Sequence, residues 1–181
     1  MRIIGGEHGG RKFNPPAHMP HTRPTTDIAK EGLFNALQHK LDFENLKTLD
    51  LFGGTGSISY ELASRGVPDL TIVEKDTAMY EFIKKTAVAL RLENFKVVKM
   101  DVFKFIETTA DKFDFIFAGP PYALTSIDDL PRLIFEKKLL KKGGWFILEH
   151  TPRNDYKSFP NYRTERNYGT TVFTTFVEER E

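Results

Sequence analysis

Beyond residue 45, five short apolar runs alternate with segments of helical period, and this alternation leaves very few folds open to the chain. The runs are Thr48 to Phe52, Leu70 to Glu74, Lys96 to Met100, Phe113 to Ala118 and Gly144 to His150. Helices are predicted near Ser57 to Ser64, Thr77 to Leu90, Phe103 to Thr109 and Ser126 to Phe135. A strand that leads into a helix cannot turn back on itself through a tight hairpin, so the crossover leaves successive strands parallel. The order βαβαβαβαβ therefore predicts an α/β, Rossmann-like, doubly wound sheet.

The ends read differently. Tyr162 to Asn167 and Thr170 to Glu178 are β-rich runs about Tyr168-Gly169, which predicts a C-terminal antiparallel hairpin and a mostly parallel sheet of about seven strands. At the N-terminus, Arg2 to Ile4 and Arg11 to Phe13 flank a glycine-punctuated turn and predict a β-hairpin extension. Pro15, Pro16, Pro20 and Pro24 forbid regular helix between Asn14 and Pro24, so an extended, mobile connection is expected. Thr26 or Asp27 can cap the next helix, whose apolar positions are Ile28, Leu33, Phe34 and Leu37. The 181 residues are the size of one domain, with residues 1–25 as a basic hairpin-and-loop extension within it.

The longest uninterrupted apolar stretches are far shorter than the roughly 20 residues of a membrane-spanning helix. The charged start is not followed by the apolar core of a secretory signal, and a cytoplasmic monomer is expected. Cysteine is absent, which removes disulfides, thiolate metal ligands and cysteine nucleophiles together. Methylation of a pyrimidine ring carbon through a cysteine adduct is thereby excluded.

The run Leu49-Asp50-Leu51-Phe52-Gly53-Gly54-Thr55-Gly56 places a glycine-rich turn between the first core strand and a helix. Such a turn lets a ligand lie against bare backbone at the carboxyl edge of the sheet. Glu74 ends the second predicted strand, where a carboxylate suits a ribose hydroxyl pair, and Lys75 follows it. Asp101 closes the third, where it could accept from an adenine amino group, with Val102 beside it. A dinucleotide would use the same logic, but Ser59 stands where its fingerprint wants glycine or alanine. Asp50 would repel a pyrophosphate and suits the ammonium of a methionine moiety, so the residues favour S-adenosyl-L-methionine.

The fourth apolar run leads into Gly119-Pro120-Pro121-Tyr122. That segment resembles the Asp/Asn-Pro-Pro-Tyr motif of methyltransferases acting on amino or amide nitrogens. Arg2-Ile3-Ile4-Gly5-Gly6, Arg23-Pro24-Thr25-Thr26-Asp27, Leu33-Phe34-Asn35 and Tyr168-Gly169-Thr170 extend the resemblance along nearly the whole chain. Together they are similar to the bacterial 16S ribosomal RNA guanine-N2 methyltransferase family. The resemblance implies a Rossmann-like S-adenosylmethionine methyltransferase fold. It also implies methyl transfer, without a metal, to a guanine amino group of 16S ribosomal RNA in a small subunit or assembly intermediate. Arg23, Thr25 and Thr26 would close over the donor or hold RNA phosphate. In the family picture the motif's acid and the first proline's carbonyl accept hydrogen bonds from the amino group, and the aromatic ring stacks on a base taken out of its helix.

Gly119 stands where that family has an acid, so the side-chain acceptor is missing. Three readings stay open: an attenuated enzyme, a protein in which the acid was replaced, or a homologue kept for binding donor and RNA. A DNA amino-methyltransferase shares the fourth-strand motif but brings a target-recognition domain that is absent here. Asp114 reads as structural, as do His150, Trp145 and the run Phe103, Phe105, Phe113, Phe115 and Phe117. Residues 1–40 carry six basic and three acidic side chains, a balance of +3 within a chain of net charge +1. Arg2, His8, Arg11 and Lys12 are accordingly expected to contact RNA phosphate.

Overall fold

Seven strands form one sheet: β1 (Lys47–Leu51), β2 (Asp69–Val73), β3 (Phe95–Val98), β4 (Phe113–Ala118), β5 (Leu140–His150), β6 (Tyr162–Tyr168) and β7 (Thr171–Val177). Their spatial order is β3-β2-β1-β4-β5-β7-β6. Strands β1 to β5 pair in parallel, β7 is antiparallel to β5, and β6 is antiparallel to β7. This computed structural model describes residues 1–17 and 25–179. Arg23 and most of the proline loop lie outside the described residues.

Among the described residues five α-helices accompany the sheet: α1 (Asp27–Leu37), α2 (Ser57–Ser64), α3 (Thr77–Ala89), α4 (Val102–Thr108) and α5 (Asp129–Glu136). Successive strand residues point to opposite faces. Thus Ile116, Phe146 and Leu148 pack with Phe105, Leu130 and Ile134 of α4 and α5. Phe115, Phe117, Ile147 and Phe173 pack with Leu33, Phe34 and Leu62 of α1 and α2 on the other side. Burial on both faces is why β4 reads as an uninterrupted apolar run from Phe115 to Ala118 rather than an alternating one. Among the described residues no helix is long and apolar enough to cross a membrane.

Several boundaries differ from the sequence reading. Strand β5 starts at Leu140, not Gly144, because Leu140 pairs with Phe113 and the exposed Lys141 and Lys142 follow in an irregularity of the ladder that carries no apolar signal. Helix α5 starts at Asp129, since Ser126 to Asp128 form a turn in which the Asp129 amide donates to the Ser126 carbonyl. Strand β3 ends at Val98, so Asp101 does not close it. Ile28 is 77 % exposed, off the buried face of α1 on which Ala29, Lys30, Leu33, Phe34 and Leu37 lie. Trp145 is only half-buried, with the Lys40 ammonium 5.9 Å from its ring centre.

The N-terminal extension is the largest departure. Its hairpin amounts to one bridge, Arg2 with Lys12, flanked by backbone bonds from Ile3 to Arg11 and from Phe13 to Met1, each 2.9 Å. It is docked on α2. Glu61, fully buried, accepts from the Ile4 and Gly5 amides at 2.9 Å each and from Arg65 Nε at 2.8 Å. Lys30 Nζ, also buried, lies 3.5 Å from Glu61 and donates to the Arg2 carbonyl at 2.6 Å and to Ser57 Oγ at 3.0 Å. One cation that the sequence assigned to a basic surface is therefore an interior tie between segments.

Candidate active site

The chain leaves β1 toward β2 on one side and, later, reaches β4 on the other. At such a reversal of strand order the carboxyl ends of the two strands part and open a crevice. The glycine-rich turn lies directly above it. Phe52, Gly54 and Gly56 all have positive φ, at 60°, 58° and 85°. For a bulky residue such as Phe52 this is a costly conformation that the surrounding packing must hold. A Cβ on Gly53 would strike the buried Ile72 side chain, so only glycine lets the loop sit this low on β2. Phe52 and Glu74 fall just beyond their strands rather than inside them. Glu74, buried, accepts from the Gly54 amide at 2.8 Å and from the Asp76 amide at 2.8 Å, bracing the loop from the neighbouring strand.

Asp50 is 2 % exposed, and its carboxylate accepts from the Ser59 hydroxyl at 2.8 Å. Burial pushes its carboxyl up to about 8; the Ser59 hydrogen bond opposes that, and the charges of Glu74 and Glu149 add to it. It lines one cleft with Thr25, Phe52, Gly53, Gly54, Gly119 and Glu149. A buried carboxyl that gives up its proton only with difficulty becomes an anion readily once a cation sits beside it. The site chemistry thus fits a ligand that carries an ammonium.

On the other side of the crevice β4 ends at Ala118, and the Gly119 amide donates to the Leu51 carbonyl at 3.4 Å. Pro120 is buried, while Pro121 and Tyr122 are half-buried. The Tyr122 hydroxyl donates to Glu149 Oε2 at 3.3 Å and lies 3.5 Å from Thr171 Oγ1. Thr25 Oγ1 donates to Glu149 Oε1 at 2.6 Å. Glu149, 4 % exposed, is the residue that sequence reasoning missed. The available signal was an acid at the end of the fifth apolar run, the same kind of position that singled out Glu74 on the second.

The remaining candidates divide. Thr26 Oγ1 accepts from the Ala29 amide at 3.2 Å and so caps α1. Asp101 caps α4, accepting from the Phe103 amide at 2.9 Å and the Lys104 amide at 3.2 Å. Val102 belongs to the hydrophobic core, and Lys75 is exposed beside Glu74. Arg2 is paired with Asp27 at 2.9 Å, His8 is half-buried, and Arg11 and Lys12 are exposed. Asp114 accepts from the Lys47 amide at 2.9 Å, and buried His150 is bonded to Thr174 Oγ1 at 2.6 Å; both are structural. A wider cleft lies between Pro131, Phe135 and Phe159, away from the crevice.

The solved structure of a hypothetical protein from Thermus thermophilus is 27 % identical and superposes with a TM-score of 0.84, covering 97 % of this chain and 98 % of that one. A 16S rRNA N2 methyltransferase from Thermus thermophilus, in complex with AdoMet and guanosine, is 25 % identical with a TM-score of 0.67, over 86 % of this chain and 44 % of that one. Ribosomal RNA small subunit methyltransferase D of Escherichia coli is 29 % identical over 160 residues, 88 % of this chain and 79 % of its own length. The model of the family described as conserved hypothetical protein 95 matches residues 1–177. With that match along almost its full length, the chain belongs to the conserved hypothetical protein 95 family, the family of ribosomal RNA small subunit methyltransferase D.

Proposed function

We propose that this protein transfers the methyl group of S-adenosylmethionine to the exocyclic N2 amino group of a guanine in 16S ribosomal RNA, within a small subunit or an assembly intermediate. The observation that carries this reading is one crevice with two chemistries. Buried Asp50 under a bare-backbone loop suits a cationic amino-acid moiety, and Gly119 of the fourth-strand motif and Glu149, which is bonded to Tyr122, line the same cleft. The Escherichia coli relative is named for small-subunit ribosomal RNA, and the Thermus thermophilus N2 methyltransferase structure holds AdoMet and guanosine.

S-adenosylmethionine supplies an electrophilic sulfonium methyl. Asp50 would hold its ammonium as a buried ion pair. Glu74, already an acceptor for two amides, would take ribose hydroxyls, and Asp101, through the Oδ2 that makes neither of the capping bonds, would take an adenine amino group. The exocyclic nitrogen is a poor nucleophile because its lone pair is delocalised into the base. The Pro120 carbonyl accepts one of its hydrogens and the Tyr122 ring packs on the base, so catalysis is positioning and electrostatics. In this reading residues 1–181 act as one cytoplasmic, monomeric domain, with residues 1–25 as its docked extension.

The test is transfer of labelled methyl to unmethylated small-subunit particles, followed by digestion to nucleosides. N2-methylguanosine is the expected product; label on another nucleoside, or transfer to DNA offered in parallel and none to the particles, would overturn the assignment. The exposed pair Arg11 and Lys12 should carry the phosphate contact, because Arg2 is engaged by Asp27. Replacing both with alanine should weaken particle binding and flatten the slope of log K against log salt by roughly one to two. Arg2→Ala should flatten it less.

A further inference from the structure

Strands β4 and β5 run parallel with Ala118 opposite Leu148, so Gly119 stands abreast of Glu149. A Cβ on Gly119 would lie 3.7 Å from Glu149 Oε1. The two bonds that separate an aspartate's carboxylate oxygens from its Cβ cover most of that distance. A carboxylate on position 119 and the carboxylate of Glu149 would therefore occupy nearly the same place. Gly119 is absent from the positive-φ glycines, so its backbone does not demand glycine. Its Cβ would meet one ring carbon of Phe117 at 3.2 Å and otherwise reach toward Glu149.

Glu149 lines the same cleft as Asp50 and Gly119. Hydroxyls of Thr25 and Tyr122 hold its two oxygens, at 2.6 and 3.3 Å.

We propose that Glu149 is a catalytic residue that accepts a hydrogen bond from the target amino group, supplying from β5 the acid that the fourth-strand motif lacks at Gly119. The inference rests on the amino-methyltransfer reading above. The amino nitrogen's lone pair forms the bond to the methyl carbon as the carbon–sulfur bond breaks, and that electron pair stays on sulfur. The nitrogen, now positively charged, loses one proton, which Glu149 accepts and passes to solvent. A carboxylate beside the nitrogen stabilises the charge as it develops, which a neutral group does far less well.

The experiment compares the native protein, Glu149→Ala, Glu149→Gln, Gly119→Asp and the Glu149→Ala/Gly119→Asp double variant. Single-turnover methyl transfer to unmethylated particles is measured beside calorimetric affinity for S-adenosylhomocysteine, particle affinity with S-adenosylhomocysteine present, and thermal unfolding. Glu149→Ala should slow transfer about a hundred- to a thousandfold and weaken particle binding, with S-adenosylhomocysteine affinity changed by a far smaller factor. Glu149→Gln, nearly the same shape, should lose most of the rate with its melting temperature unchanged. Aspartate at 119 should raise the rate of Glu149→Ala about tenfold or more but give the native protein no gain, because there the two carboxylates would compete for one place. The inference is overturned if either Glu149 variant is as fast as native, or if aspartate at 119 gives equal gains in both backgrounds. If the native protein transfers no methyl to the particles, the amino-methyltransfer reading falls and this inference with it; an active native protein with active Glu149 variants defeats the inference alone.

Discussion

Asp50→Asn is expected to bind S-adenosylmethionine about a hundredfold more weakly than the native protein, because it removes one charge of a buried, hydrogen-bonded pair. The amide keeps the volume and an acceptor for the Ser59 hydroxyl, so the fold should be intact. In the free protein the carboxyl is raised from 3.8 to about 8, chiefly by burial. At neutral pH it is therefore mostly protonated, and pairing with an ammonium expels the proton. Calorimetry in buffers of different ionisation heat should show close to one proton released per donor bound, and none for Asp50→Asn. The stability of the free protein provides a second check. The native state holds this proton to higher pH than the unfolded state does, so unfolding free energy falls as pH rises between 3.8 and about 8. Asp50→Asn should lack that part of the slope. Equal affinity and equal proton release in both proteins would show that Asp50 does not meet the donor's ammonium.

Glu61→Ala is expected to cost about 3–5 kcal/mol, since it strands buried Lys30 and two backbone amides without their acceptor. For a chain of this size that lowers the melting temperature by on the order of 10 °C. Glu61→Gln, which keeps one acceptor oxygen, should lose less. Burial pushes the Glu61 carboxyl up, but the Ile4 and Gly5 amides and Arg65 outweigh it and hold the group below its ordinary 4.5. The stabilisation is therefore complete above the unfolded value and is lost as pH falls through the folded one. Acid unfolding curves should show a shallower dependence in Glu61→Ala than in the native protein. A melting temperature unchanged by Glu61→Ala would mean that the extension is not fastened through this carboxylate.

The parts of the fold that were legible were those where burial dictates residue type. Strand β4 spans Phe113–Ala118, as its apolar run predicts, because a central parallel strand must be apolar on both faces. Helix α2 spans Ser57–Ser64, as predicted from its start after the glycine turn. Boundaries failed where pairing or turns proceed without an apolar signal, at the first residues of β5 and before α5. Ile28 was misplaced because a single apolar residue on a short helix does not show which face is buried. Asp101 was placed on a strand end, yet it caps a helix; an acid before an apolar helical run carries both meanings.

The crevice followed the same division. Local order along the chain specified the glycine turn and the fourth-strand motif, because each is a backbone device made by consecutive residues. Glu149 reaches Gly119 only through the register of β5 on β4, and no local pattern records which strands become neighbours. The basic extension was counted as charge, but charge is additive along a sequence and pairwise in space. Lys30 is spent on Glu61 and Arg2 on Asp27, leaving Arg11 and Lys12 exposed. The sequence by itself determined the α/β class, the parallel order and the glycine-rich loop, all consequences of periodicity and backbone sterics. Only the tertiary structure decided which carboxylates meet in the crevice and which cations remain at the surface, because those depend on distances between segments far apart in the chain.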